Sequence, residues 1–250
     1  MEARSAGMTK KVDWKRAWRA LKGLVSDPER TDLVFEIIDS LDGPAFEREF
    51  RRFRRHPEGQ RLLRERPDLL ATLNDREALR RMPDGSFGRI YASFMDAEQL
   101  SADGLIEAEN AAIRHDPEEI IDPDRRYFGD RLRDMHDLWH VLTGYGRDEA
   151  GEAANLAFTV AQVPSRGVWL IVLAAAVLGP WSLSFAWPRY LFRAWLRGRR
   201  AAKLSLARFE ELLPLPLDEV RRRLQIELPL EAHPAGIVVA NRGDISLAAA

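Results

Sequence analysis

The sequence predicts an all-α protein, a multi-helix fold in a single domain that spans residues 1–250. Apolar residues recur at three- and four-residue spacing in one segment after another, which is the period of an amphipathic helix. Strand-like residues stand out only over 236–239, a stretch too short to anchor a sheet. With 46% hydrophobic residues, the chain can enclose a substantial core. Residues 1–12 and about 229–250 are expected to be peripheral or poorly ordered.

Composition excludes several classes of protein and of site. The 38 basic and 39 acidic residues leave a net charge of −1, without the basic excess typical of nucleic-acid binding, so we expect no nucleic-acid partner. The absence of cysteine excludes disulfides, thiolate nucleophiles and zinc-ribbon sites, so a metal site must use His, Asp and Glu. The amino terminus shows no apolar segment of a secretory signal, which predicts a cytoplasmic protein.

The first half of the chain is predicted to form a series of short helices. Asp13 and Ser86 are suited to cap the helices that follow them. Phe46, Phe50 and Phe53 lie three to four residues apart and predict a core-facing stripe on an arginine-rich helix. Helices are expected, in chain order, over residues 14–25, 31–41, 58–65, 75–82, 86–100 and 117–121.

A long stretch without acidic residues follows in the second half. Residues 168–187 have about the 20 residues that cross a bilayer, but the Gly-Pro pair at 179–180 interrupts them and leaves an apolar half that is short for a span. Six basic residues come directly after it: Arg189, Arg193, Arg197, Arg199, Arg200 and Lys203. Three interpretations stay open: a core helix beside a solvated basic helix, insertion into a membrane interface with the basic cluster against anionic headgroups, or a true membrane span, which a single broken segment in a charged chain supports least. We expect contact with a membrane or lipid.

The sharpest chemical motif is HDLWH at residues 136–140. On a helix, His136 and His140 lie four residues apart, so both imidazoles share one face and can bind a single ion. The carboxylate of Asp137, three residues before His140, can reach the same side. The pattern is similar to the HExxH arrangement of zinc enzymes, with a shorter acid in the second place.

A further ligand is expected at Glu152, twelve residues after His140. On one straight helix these residues would be about 18 Å apart, too far for a shared ion. The glycines at Gly144, Gly146 and Gly151 would let the chain turn, so that a second helix returns Glu152 to the histidines. Two His and two carboxylates would supply four ligands, or three ligands and a base.

Several segments in the same order resemble the Coq4 family of ubiquinone biosynthesis. The motif HDLWHVLTGYGRDEAGE matches the family pattern of HDxxH, eleven residues and Glu. Further segments that resemble the family are DPERTDLV at 27–34, RRHPEGQRLLRERP at 54–67, PDGSFGRIYASFM at 83–95, GRRAAKLSLARFEELL at 198–213 and DEVRRRLQI at 218–226. The resemblance therefore covers most of the chain.

This resemblance implies an all-α protein, peripheral on the cytoplasmic face of the inner membrane. It implies metal-dependent removal of the C1 carboxyl group from a polyprenylated 4-hydroxybenzoate-type ring, a lyase (decarboxylase) reaction that some accounts make oxidative, with hydroxylation. The metal ligands and catalytic residues would be His136, Asp137, His140 and Glu152, and the family metal is zinc. Expected partners are a polyprenylated benzoate or quinone-like lipid, other ubiquinone-biosynthesis enzymes, a membrane surface and, on general grounds, a second copy of the chain.

Two positions depart from the family pattern. Many members carry a Lys and a Glu where this chain has Leu156 and Thr159. If those charges bind substrate in relatives, Asn155 or an arginine must replace them, or the substrate differs.

An alternative function is a lipid-binding scaffold that organises a ubiquinone-biosynthesis complex without chemistry of its own. A membrane-anchored helical adaptor without a metal is a third reading, and the lack of a transit peptide is typical of a bacterial member.

Overall fold

Fifteen α-helices and one 3-10 turn form the regular structure of the computed structural model, which describes residues 12–27, 30–101, 103–112, 122–178 and 186–229. Over these ranges no strand is formed, apart from an isolated bridge between Ser86 and Pro216. The all-α prediction is therefore confirmed for this part of the chain. Four predictions lie outside the described residues: the terminal segments 1–11 and 230–250, the helix at 117–121, the strand-like stretch at 236–239 and the helix break at 179–180.

Side-chain caps mark the starts of some of the fifteen helices in the described ranges. The first eight helices are α1 (Trp14–Ser26), α2 (Thr31–Leu41), α3 (Gly43–Arg55), α4 (Pro57–Glu65), α5 (Leu69–Asn74), α6 (Arg76–Arg81), α7 (Phe87–Ala97) and α8 (Gly104–Ala112). The other seven are α9 (Pro123–Asp134), α10 (His136–Thr143), α11 (Glu149–Gln162), α12 (Arg166–Leu178), α13 (Ala186–Arg200), α14 (Phe209–Leu212) and α15 (Leu217–Arg223). The Asp13 and Ser86 side chains accept backbone N–H groups at the starts of α1 and α7, as predicted.

One predicted helix has the expected bounds, and another ends earlier than predicted. Helix α2 has the bounds expected from its apolar spacing. Helix α7 ends at Ala97 and not at residue 100, because Gln99 adopts a left-handed φ of +54° that a helix cannot continue through. The phenylalanine stripe is also found, since Phe50 and Phe53 are buried and the Phe53 and Phe128 rings lie 4.7 Å apart.

The helix pair α11 and α13 lies at the centre of the core. Close approach of the two helices requires Gly198, because a Cβ atom there would lie 2.5 Å from the carbonyl oxygen of Phe158. Gln162 joins the pair through its side chain, which donates to the carbonyl of Gly198 and accepts from the N–H of Leu204. The carboxyl-terminal helices therefore hold α11, and with it Glu152, in place.

A second, smaller cluster packs α1 and α2 against α12. Its buried members are Ala17, Ala20, Leu21, Ile37, Leu41 and Ile171. The contact requires Gly167, whose N–H donates to Asp42 at 2.9 Å and whose Cβ, if present, would lie 2.8 Å from the Cα of Ile38. The amino-terminal helices thus pack on α12, and Leu156 of α11 also contacts this cluster.

The apolar stretch of the sequence becomes α12, and its two faces have different surroundings. Val168, Ile171 and Val172 are buried, whereas Leu173 and Val177 are 56% and 69% exposed. None of the helices in the described ranges has the length and apolar character needed to span a membrane. The interpretation of this segment as a core helix therefore holds for one face of α12. The other face carries exposed apolar side chains.

Candidate metal centre

Helices α10 and α11 bring His136, His140 and Glu152 together. Each residue offers one ligand atom, and these atoms all lie within 4.8 Å of one another. The two histidine Nε2 atoms are 3.3 Å apart, and the Glu152 Oε2 atom lies 3.4 Å from His140 Nε2 and 3.9 Å from His136 Nε2. Two imidazoles and one carboxylate at this spacing form a donor set suited to a divalent ion.

Asp137 is not a member of this triad. It follows His136 on α10, which rotates its side chain by about 100° around the helix axis. Its side chain is buried and lines the same cavity as His136 and Glu152. As a metal ligand, Asp137 stays a prediction.

The glycine turn predicted between the ligands has a specific geometry. Gly144 ends α10 with a φ of +73°, and its N–H donates to the carbonyl of His140. Asp148 then caps α11 by accepting the N–H groups of Ala150 and Gly151. A Cβ atom at Gly151 would lie 2.2 Å from the carbonyl oxygen of Gly146, so only glycine lets the turn pack against the start of α11. This packing sets the position of Glu152.

The ring of His140 is held in one orientation. Its Nδ1 lies 3.0 Å from the carbonyl oxygen of Tyr145, which can only accept, so Nδ1 carries the proton. The Phe94 ring stacks on the imidazole with centroids 6.1 Å apart. The Nε2 atom then faces His136 and Glu152, and once its proton is released it is the nitrogen that can bind a metal.

Electrostatic coupling within the triad perturbs all three groups. Burial lowers the pKa of His136, and the neighbouring His140 lowers it further. Burial would also lower the pKa of His140, but its ion pair and hydrogen bond with Glu152 raise it overall. For Glu152, burial alone would raise the pKa, yet His140, His136 and Arg147 together lower it to about 2. The carboxylate is therefore charged and available as a ligand at neutral pH.

A cavity of about 1610 Å³ extends from the triad through the apolar interior. His136 and Glu152 line it together with apolar side chains of α1, α2, α11 and α12, including Leu24, Val34, Ile38, Leu156, Ile171 and Val172. Val25 and Leu178 also line it and are 48% and 60% exposed, so the cavity reaches the surface between the ends of α1 and α12. Its volume exceeds the range of about 300–1,000 Å³ for pockets that hold drug-sized molecules.

The two departures from the family pattern both lie at this cavity. Leu156 and Thr159 line it, whereas Asn155 is fully buried and is not among the lining residues. Arg147 lines the cavity beside Glu152. The sequence left Asn155 and an arginine as alternative replacements for the missing charge, and the geometry favours the arginine. Arg147 lies inside the glycine turn, between the histidines and Glu152, and this position is the sequence signal that could have identified it.

Comparison with known proteins gives a consistent result. The family model described as coenzyme Q (ubiquinone) biosynthesis protein Coq4 matches residues 15–229. The mitochondrial ubiquinone biosynthesis protein coq4 of Pyrenophora tritici-repentis is 32% identical over 208 residues, which cover 83% of this chain and 69% of that protein. The corresponding protein of Yarrowia lipolytica is 33% identical over 210 residues, covering 83% and 76%.

A solved structure shares the fold. The crystal structure of a Nostoc punctiforme protein, provisionally assigned to ubiquinone biosynthesis, superposes with a TM-score of 0.63 at 22% sequence identity. The match covers 86% of this chain and 98% of that chain. The helical arrangement described above is therefore shared across a wide sequence distance.

Proposed function

The chain belongs to the Coq4 family of coenzyme Q (ubiquinone) biosynthesis proteins, and we propose that it is a metal-dependent lyase that removes the C1 carboxyl group from a polyprenylated 4-hydroxybenzoate-type ring. The observation that supports this most is a His–His–Glu triad, two of whose members, His136 and Glu152, line a large and mostly apolar cavity. A polar reaction centre joined to an apolar space suits a substrate with an acidic ring and a prenyl tail.

The donor set fits a zinc ion. His136, His140 and Glu152 would hold it, and the hydrogen bond from His140 Nδ1–H to the Tyr145 carbonyl already selects the required tautomer. Zinc accepts two imidazoles and a carboxylate with a fourth position left for substrate or water. When bound, a divalent ion supplies a Lewis acid and a template for the ring carboxylate or phenolate.

The side chains of the cavity divide the remaining tasks. Decarboxylation breaks the bond between C1 and the carboxyl carbon, releases CO₂ and leaves the electron pair on the ring, where a proton replaces the carboxyl group. Asp137 lines the cavity outside the triad and can carry that proton to C1. The apolar walls from α1, α2 and α12 exclude water and accommodate the tail.

The test is a mass spectrum of the lipid extract from a strain that lacks this gene, complemented with wild type or with Glu152→Gln. The amide keeps the size of the side chain but removes the charged ligand, so we expect a carboxylated prenyl-ring precursor to accumulate and quinone to be absent. Circular dichroism of the variant must match wild type. Incubation of wild type with the prenylated acid gives a product with hydrogen at C1, or with hydroxyl at C1 if dioxygen and two electrons are consumed.

Normal quinone in the Glu152→Gln strain would contradict the proposal. It would favour the alternative, a lipid-binding scaffold that assembles other ubiquinone-biosynthesis enzymes. The cavity alone would then be the functional element, and substitutions that fill it would be the ones that block the pathway.

Peripheral membrane association, on the cytoplasmic face of an inner membrane, is the second part of the proposal. Leu173 and Val177 are exposed four residues apart on α12, and Phe192 is 56% exposed on α13. Arg199 lies over the Trp195 ring at 5.2 Å on the same helix, α13. Apolar side chains beside arginines suit an interface with anionic headgroups, and the cavity mouth at Leu178 belongs to the same helix, α12.

We expect Leu173→Asp to weaken binding to vesicles that contain anionic lipid by about 10- to 100-fold, because an inserted leucine contributes about 1.5–3 kcal/mol. Vesicle co-sedimentation measures this. Gln60→Asp adds the same charge on α4, where the side chain is exposed, and should change binding little. If both variants bind the vesicles equally well, the membrane proposal is wrong. If Leu173→Asp instead converts a dimer to a monomer in light scattering, a second copy of the chain covers this face of α12.

A further inference from the structure

We propose that Arg147 is the residue that binds the carboxylate of the substrate, an inference that rests on the function proposed above. Arg147 lies in the turn between α10 and α11, lines the cavity and is 32% exposed. It stands five residues before Glu152 along the chain and beside it in space. Its guanidinium therefore faces the same space as the triad.

The guanidinium of Arg147 is held only loosely by its neighbours. Its Nε lies 3.5 Å from Glu152 Oε1 and its Nη1 lies 3.9 Å from Glu98 Oε2. Charge-assisted hydrogen bonds are shorter, about 2.7–2.9 Å. Within the described ranges its side chain makes no hydrogen bond, so the N–H donors that do not face Glu152 or Glu98 are available to a ligand.

Two other arginines form shorter ion pairs by contrast. Arg133, which also lines the cavity, pairs with Glu109 at 2.6 Å and with Asp134 at 2.7 Å. Arg131 holds Glu210 through two hydrogen bonds of 2.7 and 3.0 Å. These arginines stabilise the fold, whereas Arg147 keeps its hydrogen-bonding capacity.

The charge balance of the cavity explains why a cation is needed at this place. Acidic side chains outside the triad, Asp137 and Glu149, also line this part of the cavity, and an ion bound by the triad would not pair with them directly. A substrate carboxylate that enters this poorly solvated space meets like charges, and Arg147 lines the same space and offsets that repulsion. Leu156 and Thr159, one and two turns further along α11, line the cavity without charge, so α11 itself supplies no cation here.

The shape of guanidinium also specifies the ligand. Its planar fork matches the two oxygens of a carboxylate, which a neutral ester cannot replace. With the carboxylate between Arg147 and the triad, the ring would lie at the polar end of the cavity and the tail would follow the apolar walls. Arg147 would therefore select acids over their neutral counterparts.

The experiment compares two probes on the full-length protein as purified: 3-geranyl-4-hydroxybenzoate and its methyl ester. Titration calorimetry gives the Kd of each for wild type, Arg147→Gln, Arg147→Lys and the control Arg61→Gln. Arg61 pairs with Glu65 on α4 and does not line the cavity. Zinc content is measured for every sample.

We expect Arg147→Gln to weaken binding of the acid by about 10- to 100-fold, since hydrogen bonds to a charged group contribute about 1.5–3 kcal/mol. The ester should bind the variant as it binds wild type. Arg147→Lys should fall between the two, because it keeps the charge and loses the fork. Arg61→Gln should match wild type for both probes.

Two results would overturn the inference. Equal weakening of acid and ester would mean that Arg147 only shapes the cavity, and a fall in zinc content would mean that it acts by positioning Glu152. The proposed function is judged separately. If Arg147→Gln loses binding of the acid alone and the wild-type protein does not decarboxylate it, the role of Arg147 stands and the lyase proposal fails. If the wild-type protein decarboxylates the acid but Arg147→Gln binds acid and ester as wild type does, the lyase proposal stands and the role of Arg147 fails.

Discussion

His140→Ala is expected to abolish zinc binding while the protein stays folded. His140 is the central member of the triad, since its Nε2 lies within 3.4 Å of ligand atoms of both other residues. Its ring is also held in place by Tyr145 and Phe94, and alanine would remove the Nε2 atom that these contacts orient towards the other two residues. Loss of one of three protein ligands should lower zinc affinity by more than the roughly 10- to 100-fold that removal of an outer hydrogen-bonding partner costs.

Competition with a zinc-sensitive dye measures this loss, and near-ultraviolet circular dichroism reports the fold. Asp137→Asn is the matched variant, because it alters the acid next to His136 on the same helix. If His136, His140 and Glu152 alone bind zinc, Asp137→Asn keeps the wild-type zinc affinity. If Asp137 is a fourth ligand, both Asp137→Asn and His140→Ala lose zinc affinity. Full zinc binding by His140→Ala would refute the metal centre.

Arg221→Leu is expected to lower the free energy of unfolding by about 3–5 kcal/mol. Arg221 is buried on α15 and donates to the carbonyls of Val141 at 2.9 Å and Leu142 at 3.0 Å. These carbonyls belong to the last turn of α10, the helix that carries both histidines. Leucine would leave them without a donor in the core, and it would remove a cation from the negative end of the helix dipole.

Urea unfolding of purified protein tests this, with Arg222→Leu as the control because that neighbouring side chain is exposed. The control should stay within about 0.5 kcal/mol of wild type. Zinc affinity should also fall in Arg221→Leu, since α10 loses its support at the end nearest His140. A change below about 1 kcal/mol would mean that other donors replace the guanidinium.

Local signals in the sequence predicted the features that depend on few residues. The cap at Asp13, the bounds of α2 and the phenylalanine stripe of α3 follow from spacing and side-chain type alone. The triad is of the same kind. Its two histidines share a helix face, and the return of Glu152 needed only a turn that glycine permits.

Features built from distant segments could not be predicted in this way. Helix α9 shows little apolar periodicity and depends on Arg131, whose carboxylate partner lies 79 residues away. Helix α5 has only six residues and is defined by its cap at Asp68. The cavity joins walls from both halves of the chain, so its size and the place of Arg147 on its surface follow only from tertiary packing.

The three residues of the triad lie on two consecutive helices, α10 and α11, and this has a consequence for the order of folding. Closing the loop between His140 and Glu152 involves twelve residues, whereas the contact between α2 and α12 closes a loop of more than a hundred. Short loops close at a lower entropic cost and sooner. A nascent chain can therefore bring the histidines and Glu152 together before the cavity wall formed by α2 and α12 is in place.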